Sequence, residues 1–158
     1  MPLIEIQTTI NAPLERVFDL ARSIDLHSIS MHKTNEKAIG KKITGLALLN
    51  DEITWEATHF GIRQQLTSKI SALEFPFYFR DEQVKGAFKS IYHEHFFESQ
   101  QAFTIMIDKF KFEAPFGILG SIFNQLVLTN YMRRFLTVRN NVIKEYAETD
   151  QWKTILTH

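Results

Sequence analysis

The 158-residue sequence contains no cysteine, and this absence excludes disulfide bonds and cysteine-ligated metal sites. Neither sign of charge dominates, because 18 lysines and arginines balance 18 aspartates and glutamates. General binders of nucleic acid or acidic membranes carry a basic surplus, so we expect neither partner. No apolar run is long enough to span a bilayer, and no basic-plus-apolar signal stands at the N-terminus. We therefore expect a cytoplasmic protein without a membrane span.

Motifs that bind nucleotides or activate a serine are missing as well. The sequence has no glycine-rich phosphate loop, no P-loop and no G-x-S-x-G string, and we expect no cofactor. The length suits a single domain, residues 1–158, with a full hydrophobic core. Phenylalanine, in contrast, is abundant, with 14 residues. Such an excess indicates either an aromatic-rich core or an apolar ligand pocket, and composition alone does not decide between them.

One strand and two short helices are predicted at the start of the chain. Apolar and polar residues alternate over Leu3–Ile10, which indicates a half-buried strand. Pro13 suits the first turn of a helix, predicted over Leu14–Arg22, and a second helix is predicted over Ile24–Ser30. The following segment, Met31–Leu49, is predicted as a loop with one short strand at Ala38–Ile39.

The middle of the sequence has the two-residue period of strands. Pro76 interrupts an aromatic stretch and predicts an edge strand or a bulge there. Ser99 and Gln100 predict a tight hairpin, and the segment Asp81–Gly86 predicts a turn. The predicted strands are Asp51–Phe60, Ile62–Leu73, Phe75–Phe79, Ala87–Glu98 and Gln101–Ala114.

A long helix is predicted over Phe116–Ala147, where apolar residues recur at helical spacing without a proline. In its first half, Ile118–Leu128, apolar residues surround the whole helix, which predicts a cavity, a partner or complete burial. Arg139 stands within the apolar face of the second half. The predicted buried face comprises Leu128, Tyr131, Met132, Phe135, Leu136, Val138, Val142, Ile143 and Tyr146.

The predicted elements form an α+β fold. An antiparallel sheet of about six or seven strands needs one covered face, and only the C-terminal helix is large enough to cover it. A strongly curved sheet around such a helix leaves a space between the sheet and the helix. The two short helices follow the first strand.

This order of elements, and several short strings, resemble the START-like (SRPBCC) superfamily, above all its small bacterial ligand-binding members. The resemblance covers nearly the whole chain. It implies a helix-grip fold that binds apolar small molecules such as lipids, with cyclase or hydrolase chemistry, including polyketide cyclase-like activity, in some branches. The strings are WEATHFG at 55–61, QLT at 65–67, Asp81-Glu82 with Gly86-x-Phe88, His93-x-His95-x-Phe97, Pro115-x-Gly117-x-x-Gly120 and Arg139-Asn140 with Ile143-Lys144.

Strand alternation places polar side chains on one face of the two long strands. His93 and His95 share a face, and a hairpin at Ser99-Gln100 sets Met106 or Asp108 opposite His93. The other face of the Ala87–Glu98 strand is equally apolar, so alternation alone leaves open which face is inner. The resembling family favours the histidine face. A buried Arg139 needs a carboxylate partner, for which Asp108, Glu56 and Glu82 are candidates.

These polar residues have three interpretations. They form an internal structural network, they hold the carboxylate or carbonyl of a bound acid, or His93 or His95 works with Asp108 as a catalytic pair. The network is favoured, and binding is favoured over catalysis. His93 and His95 also have the spacing of metal ligands, with His59 or Asp108 as a third, but no stronger signature supports a metal and none is assigned.

The sequence therefore predicts a cavity for a small apolar molecule, with an enzyme of the cyclase or hydrolase kind as the alternative. Motion of the Met31–Gly45 loop and of Gly117–Gly120 is expected to open it. A third possibility is a homodimer that buries Ile118–Leu128. The predicted ligand-binding residues are Trp55, His59, Phe77, Phe79, Phe88, His93, His95, Phe97, Met106, Asp108, Phe110, Phe112, Phe123, Leu126, Met132 and Arg139.

Overall fold

Most of the observed elements begin and end within a few residues of the predicted bounds, with strand β5 (Tyr78–Lys85) and the unpredicted helix α4 (Lys153–Leu156) as exceptions. The computed structural model describes residues 1–114 and 121–156, the side chains of 121–124 excepted. A 3₁₀ turn follows α2 at His32–Thr34, and another precedes α4 at Asp150–Trp152. The elements are β1 (Leu3–Ile10), α1 (Leu14–Ala21), α2 (Ile24–Ser30), β2 (Lys37–Ile39), β3 (Glu52–His59), β4 (Ile62–Glu74), β5 (Tyr78–Lys85), β6 (Ser90–Gln100), β7 (Phe103–Glu113), α3 (Ser121–Glu148) and α4 (Lys153–Leu156).

The seven strands of the described residues form one curved antiparallel sheet in the order β1-β7-β6-β5-β4-β3-β2. Helix α3 packs on β1, α1 and α2. The predicted α+β helix-grip architecture is confirmed. The first strand pairs with the last one along its whole length, from Leu3 opposite Lys111 to Ile10 opposite Thr104.

The hairpin between β6 and β7 turns at Gln101-Ala102 and not at the predicted Ser99-Gln100. Gln101 adopts a left-handed φ of 56°, as two-residue hairpin turns require. His93 therefore stands opposite Phe110, two or four residues from the predicted Asp108 or Met106, and His95 stands opposite Asp108. An even shift preserves which residues share a face, so the prediction that both histidines and Asp108 share one is confirmed.

The prediction for the segment around Pro76 is wrong. Residues 75–77 form a turn, and β5 begins at Tyr78 and runs through the segment predicted as a turn, Asp81–Gly86. Polar residues continue the strand because their side chains find partners across it. Arg80, for example, donates hydrogen bonds to Ser71 Oγ at 2.8 Å and to Tyr92 Oη at 2.8 Å. As a consequence Asp81 lies on strand β5 and not in a turn.

Two apolar clusters form the core. Phe18 of α1 lies at the centre of the larger one and makes edge-on contacts with Phe79 and Phe97. The smaller cluster comprises Ile4, Ile91, Phe110, Phe112 and Leu136. Ile91, His93, His95 and Phe97 are all buried, so the histidine face of β6 is the inner face.

Helix α3 turns a buried line of Leu136, Ile143 and Ala147 toward the core. Val138 was predicted to be buried but is 39% exposed, because on the helix it lines up with the exposed Arg134 and Asn141. The predicted start of the helix at Phe116, and Gly117–Gly120, lie outside the described residues. Within the described part of the chain, no helix combines the length and hydropathy that a bilayer crossing requires.

Candidate functional site

A cavity of about 270 Å³ lies between the inner face of the sheet and α3. Most of its wall is apolar, with contributions from strands β3 to β7 and from helices α1, α2 and α3. Among the predicted ligand-binding residues, those on the wall are Trp55, His59, Phe79, Phe88, His93, His95, Phe110, Met132 and Arg139.

Several other predicted residues do not reach the cavity. Phe97, Met106 and Phe112 are at most 2% exposed and fill the two core clusters, where neighbouring side chains separate them from the space. Phe77 is 57% exposed because it belongs to the turn before β5, and Leu126 is 62% exposed on the outer side of α3. The side chain of Phe123 lies outside the described residues.

A row of charged and imidazole side chains crosses three strands at one end of the cavity. Asp81 of β5 stands opposite His93 of β6, and His95 stands opposite Asp108 of β7. Helix α3 contributes Arg139 and Asn140 to the row, and Phe79 stacks on His95 with ring centres 4.0 Å apart. The six residues Asp81, His93, His95, Asp108, Arg139 and Asn140 are called the polar cluster below.

Asp108 is the centre of the polar cluster and is completely buried. Its Oδ1 lies 2.8 Å from His93 Nε2, and its Oδ2 accepts a 2.7 Å hydrogen bond from Asn140 Nδ2. Burial opposes ionisation, but the hydrogen bond from His93 and the charge of Arg139 outweigh it, so the pKa of Asp108 is well below its ordinary value. Asp108 therefore provides a fixed negative charge behind the cavity wall.

Asp81 is the carboxylate that reaches the cavity itself. It retains 24% of its side-chain surface, and that surface faces the cavity. Burial again opposes ionisation, but a 2.8 Å hydrogen bond with His95 Nε2 and the positive groups nearby lower the pKa of Asp81. The polar cluster thus holds two ionised carboxylates.

The two imidazoles lie between these carboxylates, with ring centres 3.8 Å apart. Burial and the neighbouring His95 lower the pKa of His93, which favours its neutral form. Asp108 Oδ1 can only accept a hydrogen bond, so Nε2 of His93 carries the hydrogen. Nδ1 is then unprotonated and carries a lone pair. His95 Nδ1 lies 3.1 Å from Asp108 Oδ1, yet its direction does not permit a hydrogen bond, and it is a buried nitrogen without a partner.

Helix α3 completes the polar cluster from the opposite side. Arg139, predicted to reach inward, is 5% exposed and places Nη1 3.5 Å from Asp108 Oδ1. Its hydrogen bonds go to Asn140 Oδ1 at 2.9 Å and to the Ala21 carbonyl at 3.0 Å. Arg139 therefore ties α3 to α1 and supplies positive charge without displacing His93 from Asp108.

The other two candidate partners of Arg139 lie elsewhere. Glu56 is engaged by Arg63 and by Gln65 at 3.0 Å, and Glu82 lies 3.3 Å from Arg80. Both alternate with inward-facing neighbours along their strands and so face away from the cavity.

At the other end of the cavity, two pairs, called the rim pairs below, join strands or loops to helices. His59 Nδ1 lies 2.5 Å from Tyr131 Oη, and His27 Nε2 lies 2.6 Å from Glu36 Oε1. Trp55 packs against His27 with ring centres 4.2 Å apart. Burial lowers the pKa of His59, although Glu36 opposes this. This end is aromatic and less charged than the polar cluster.

Two members of the polar cluster, Asp81 and Asn140, are not among the predicted site residues. Asp81 falls in the predicted turn. It lies two residues after Phe79, however, and residues two apart on a strand share a face, so a strand here would have placed Asp81 on the inner face with Phe79. Asn140 lies four residues after Leu136 and three before Ile143, which are both buried. That spacing identifies an inward-facing polar residue on a helix.

Comparison of the sequence with models of known protein families finds no match, and neither does comparison with curated proteins. Among solved structures, the protein TTHA0849 from Thermus thermophilus is similar, with a TM-score of 0.76 and 16% identity, over 92% of this chain and 97% of that one. The protein CV1439 from Chromobacterium violaceum gives a TM-score of 0.69 at 12% identity, over 95% and 100%.

A plant protein has the same architecture. The ginseng major latex-like protein 151 from Panax ginseng matches with a TM-score of 0.66 and 13% identity, over 94% of this chain and 98% of that one. At such identities these likenesses show the fold alone. The helix-grip fold implied by the START-like resemblance is confirmed.

Proposed function

We propose that the protein binds a small, mainly apolar molecule in the cavity between the sheet and α3. The observation that carries the proposal is a 270 Å³ space with a mostly apolar wall and the polar cluster at one end. Binding pockets typically combine such a wall with a few convergent polar groups, which fix the orientation of the ligand.

The volume limits the size of the ligand. A cavity of about 150 Å³ holds one benzene ring, so this one accommodates a compact molecule of roughly two rings. We therefore expect the apolar body to contact Trp55, Ile70 and Phe135, and a polar end to contact Asp81. A long acyl chain does not fit this space without a change of structure.

Trp55 provides a signal for the test, since it lies on the cavity wall. The second tryptophan, Trp152, lies beneath Arg16, whose guanidinium carbon is 4.3 Å from the ring centre, so Trp152→Phe leaves Trp55 as the reporter. In this background, titration with a neutral two-ring dye such as N-phenyl-1-naphthylamine should quench Trp55 saturably, with one dye per chain.

A matched pair of variants on β4 localises the binding. Ser68 faces the cavity and its neighbour Lys69 faces the other side of the sheet. Ser68→Phe fills the space and should weaken dye binding at least about tenfold, a change of roughly 1.4 kcal/mol. Lys69→Phe should bind like the parent. The proposal is wrong if neutral ring compounds do not bind saturably, or if both variants bind alike.

One observation favours a second function, an enzyme of the cyclase or hydrolase kind. His93 is neutral, its Nε2 is held by Asp108, and its Nδ1 is a lone pair near Asp81, which is the arrangement of an oriented general base. Turnover of a bound ring compound that disappears in His93→Gln and persists in Lys69→Phe would support catalysis. Unchanged ligand after prolonged incubation would leave binding as the function.

A further inference from the structure

Three donor atoms of the polar cluster converge on one point beside the cavity. His93 Nδ1, His95 Nε2 and a carboxylate oxygen of Asp81 lie within 4.8 Å of one another. Asp81 Oδ2 is 2.8 Å from His95 Nε2 and 3.9 Å from His93 Nδ1. Bonds of about 2.0–2.2 Å to a zinc ion place neighbouring ligand atoms roughly 3–3.5 Å apart, so small side-chain shifts suffice to enclose an ion.

A cation at this point would satisfy the hydrogen count of the two imidazoles. Each neutral imidazole has one N–H, yet both nitrogens of each ring face a carboxylate, Asp108 on one side and Asp81 on the other. In His95 the hydrogen bond to Asp81 leaves Nδ1 as the buried nitrogen without a partner. With a metal ion at Asp81, both hydrogens could lie on the nitrogens that face Asp108. A small rotation of the His95 ring would then align its Nδ1–H with Asp108 Oδ1, 3.1 Å away, and every nitrogen would have a partner.

Asp108 has the position of an outer carboxylate that orients metal-binding histidines. It contacts the ring nitrogen opposite the proposed donor in both cases, Nε2 of His93 and Nδ1 of His95. Such outer carboxylates fix the tautomer and raise the basicity of the ligating nitrogen. Arg139 approaches the cluster on the side of Asp108 and bonds to Asn140 and Ala21, so its charge is directed at the outer carboxylate.

We propose that Asp81, His93 and His95 bind one divalent transition-metal ion, such as Zn²⁺, with Asp108 orienting both imidazoles. Imidazole and carboxylate ligands suit zinc and its neighbours in the first transition row. Three protein ligands leave coordination positions for water or for the polar end of a cavity ligand. Without the ion, two carboxylates and one guanidinium give the cluster a charge of −1. A divalent ion raises this to +1, which favours a cavity ligand with an electron-rich end.

The first test measures metal binding by the whole protein. After treatment with a chelator, the wild-type chain should take up one equivalent of Co²⁺ or Zn²⁺ saturably at micromolar concentration, with a visible Co²⁺ spectrum of mixed nitrogen and oxygen ligation. Thermal unfolding should shift upward with added Zn²⁺, because the ion binds the folded state. If the folded wild-type protein binds no ion saturably, the proposal is wrong.

Isosteric variants identify the ligands. Asp81→Asn should lower the affinity at least about 100-fold, since it removes the anionic ligand, and Asp108→Asn should lower it about 10- to 100-fold as an outer group. Two histidine controls lie outside the site, His59→Gln at the cavity and His32→Gln on an exposed turn, and both should bind like the wild type. Equal affinity in Asp81→Asn and the wild type would overturn the proposal.

Nitrogen NMR of the histidine side chains distinguishes a metal from an extra proton. In the Zn²⁺-loaded protein, the remaining hydrogen should lie on Nε2 of His93 and on Nδ1 of His95, because Asp108 accepts from both. Two different tautomers in adjacent histidines are a pattern that adventitious surface binding does not produce. A doubly protonated imidazole that persists at saturating Zn²⁺ would contradict the assignment. None of these readouts depends on an apolar ligand, so they stand or fall separately from the proposed function.

Discussion

The two ends of the cavity differ in how their polar groups are held. In the polar cluster, three strands and α3 each contribute a group, and Asp108 is contacted by His93, Asn140 and Arg139 at once. At the rim, His59 and Tyr131 share one hydrogen bond, and both side chains are only half-buried. Helix α3 is therefore anchored through its C-terminal half, and the contacts near Tyr131 are the ones that can open at small cost.

The largest effect should come from removing the centre of the polar cluster. Asp108→Ala removes the carboxylate that pairs with the buried Arg139 and that accepts hydrogen bonds from His93 and Asn140. Breaking a buried charge pair in this way costs about 3–5 kcal/mol. Urea unfolding measures the loss of stability. The isosteric Asp108→Asn should lose less, because it still accepts one hydrogen bond. A loss below about 1 kcal/mol in Asp108→Ala would mean that the cluster does not hold the helix.

Replacing Arg139 should lower the free energy of unfolding by less than replacing Asp108. In Arg139→Met, Asp108 keeps its contacts with His93 and Asn140, while the Ala21 carbonyl loses a donor. We expect a destabilisation of about 2–3 kcal/mol, the range for hydrogen bonds of charged groups. Arg134→Met, on the exposed side of the same helix, should change stability by less than about 0.5 kcal/mol. Equal losses in the two variants would contradict the inward role of Arg139.

The rim should tolerate the loss of its hydrogen bond. Tyr131→Phe removes the hydroxyl that meets His59 and should cost about 1 kcal/mol in urea unfolding. Tyr146→Phe on the same helix is the control and should cost less. If Tyr131→Phe were as destabilising as Arg139→Met, the two ends of the cavity would not differ as the contacts indicate.

The smallest effect concerns pH. Since the folded-state pKa of His59 lies below its ordinary 6.5, its contribution to stability is present above that pH and is lost as the pH falls through the folded-state pKa. Stability measured between pH 8 and pH 5 should decline, and less steeply in His59→Gln. Glu36, which faces His59, opposes the shift and keeps the difference small. A steeper decline of stability in His59→Gln would contradict a lowered pKa of His59 in the folded state.

Alternation and helical spacing predict most of the elements and the α+β class, and the START-like resemblance implies the helix-grip architecture. The shared face of His93 and His95 follows from the two-residue period, and Arg139 is visible in the sequence as an inward charge on an apolar helix face. The register between β6 and β7 could not be predicted, because both Ser99-Gln100 and Gln101-Ala102 are acceptable hairpin turns. The two-residue difference decides that His95 stands opposite Asp108.

Asp81 escapes prediction for a different reason. The string Asp81-Glu82-Gln83 is rich in residues that strands disfavour, so local propensity indicates a turn. The hydrogen bonds of Asp81 with His95 and of Arg80 with Tyr92 on the neighbouring strand β6 outweigh that propensity. They join residues 14 and 12 positions apart in the sequence. The third candidate metal ligand, Asp81, therefore becomes visible only when the neighbouring strand is in place.

The pairing of β1 with β7 has a consequence for how the chain folds. Strands β3 to β7 follow one another as antiparallel neighbours, so that Asp81, His93, His95 and Asp108 are brought together by nearby parts of the chain. Strand β1 joins β7 across most of the sequence, from Leu3 opposite Lys111, and helix α3 packs on β1. Such distant closures form slowly. The side chains of these four residues should thus meet while they are still hydrated. Water should leave them only when α3 packs against the sheet. Pulse-labelled hydrogen exchange during refolding should find β6 and β7 protected before β1.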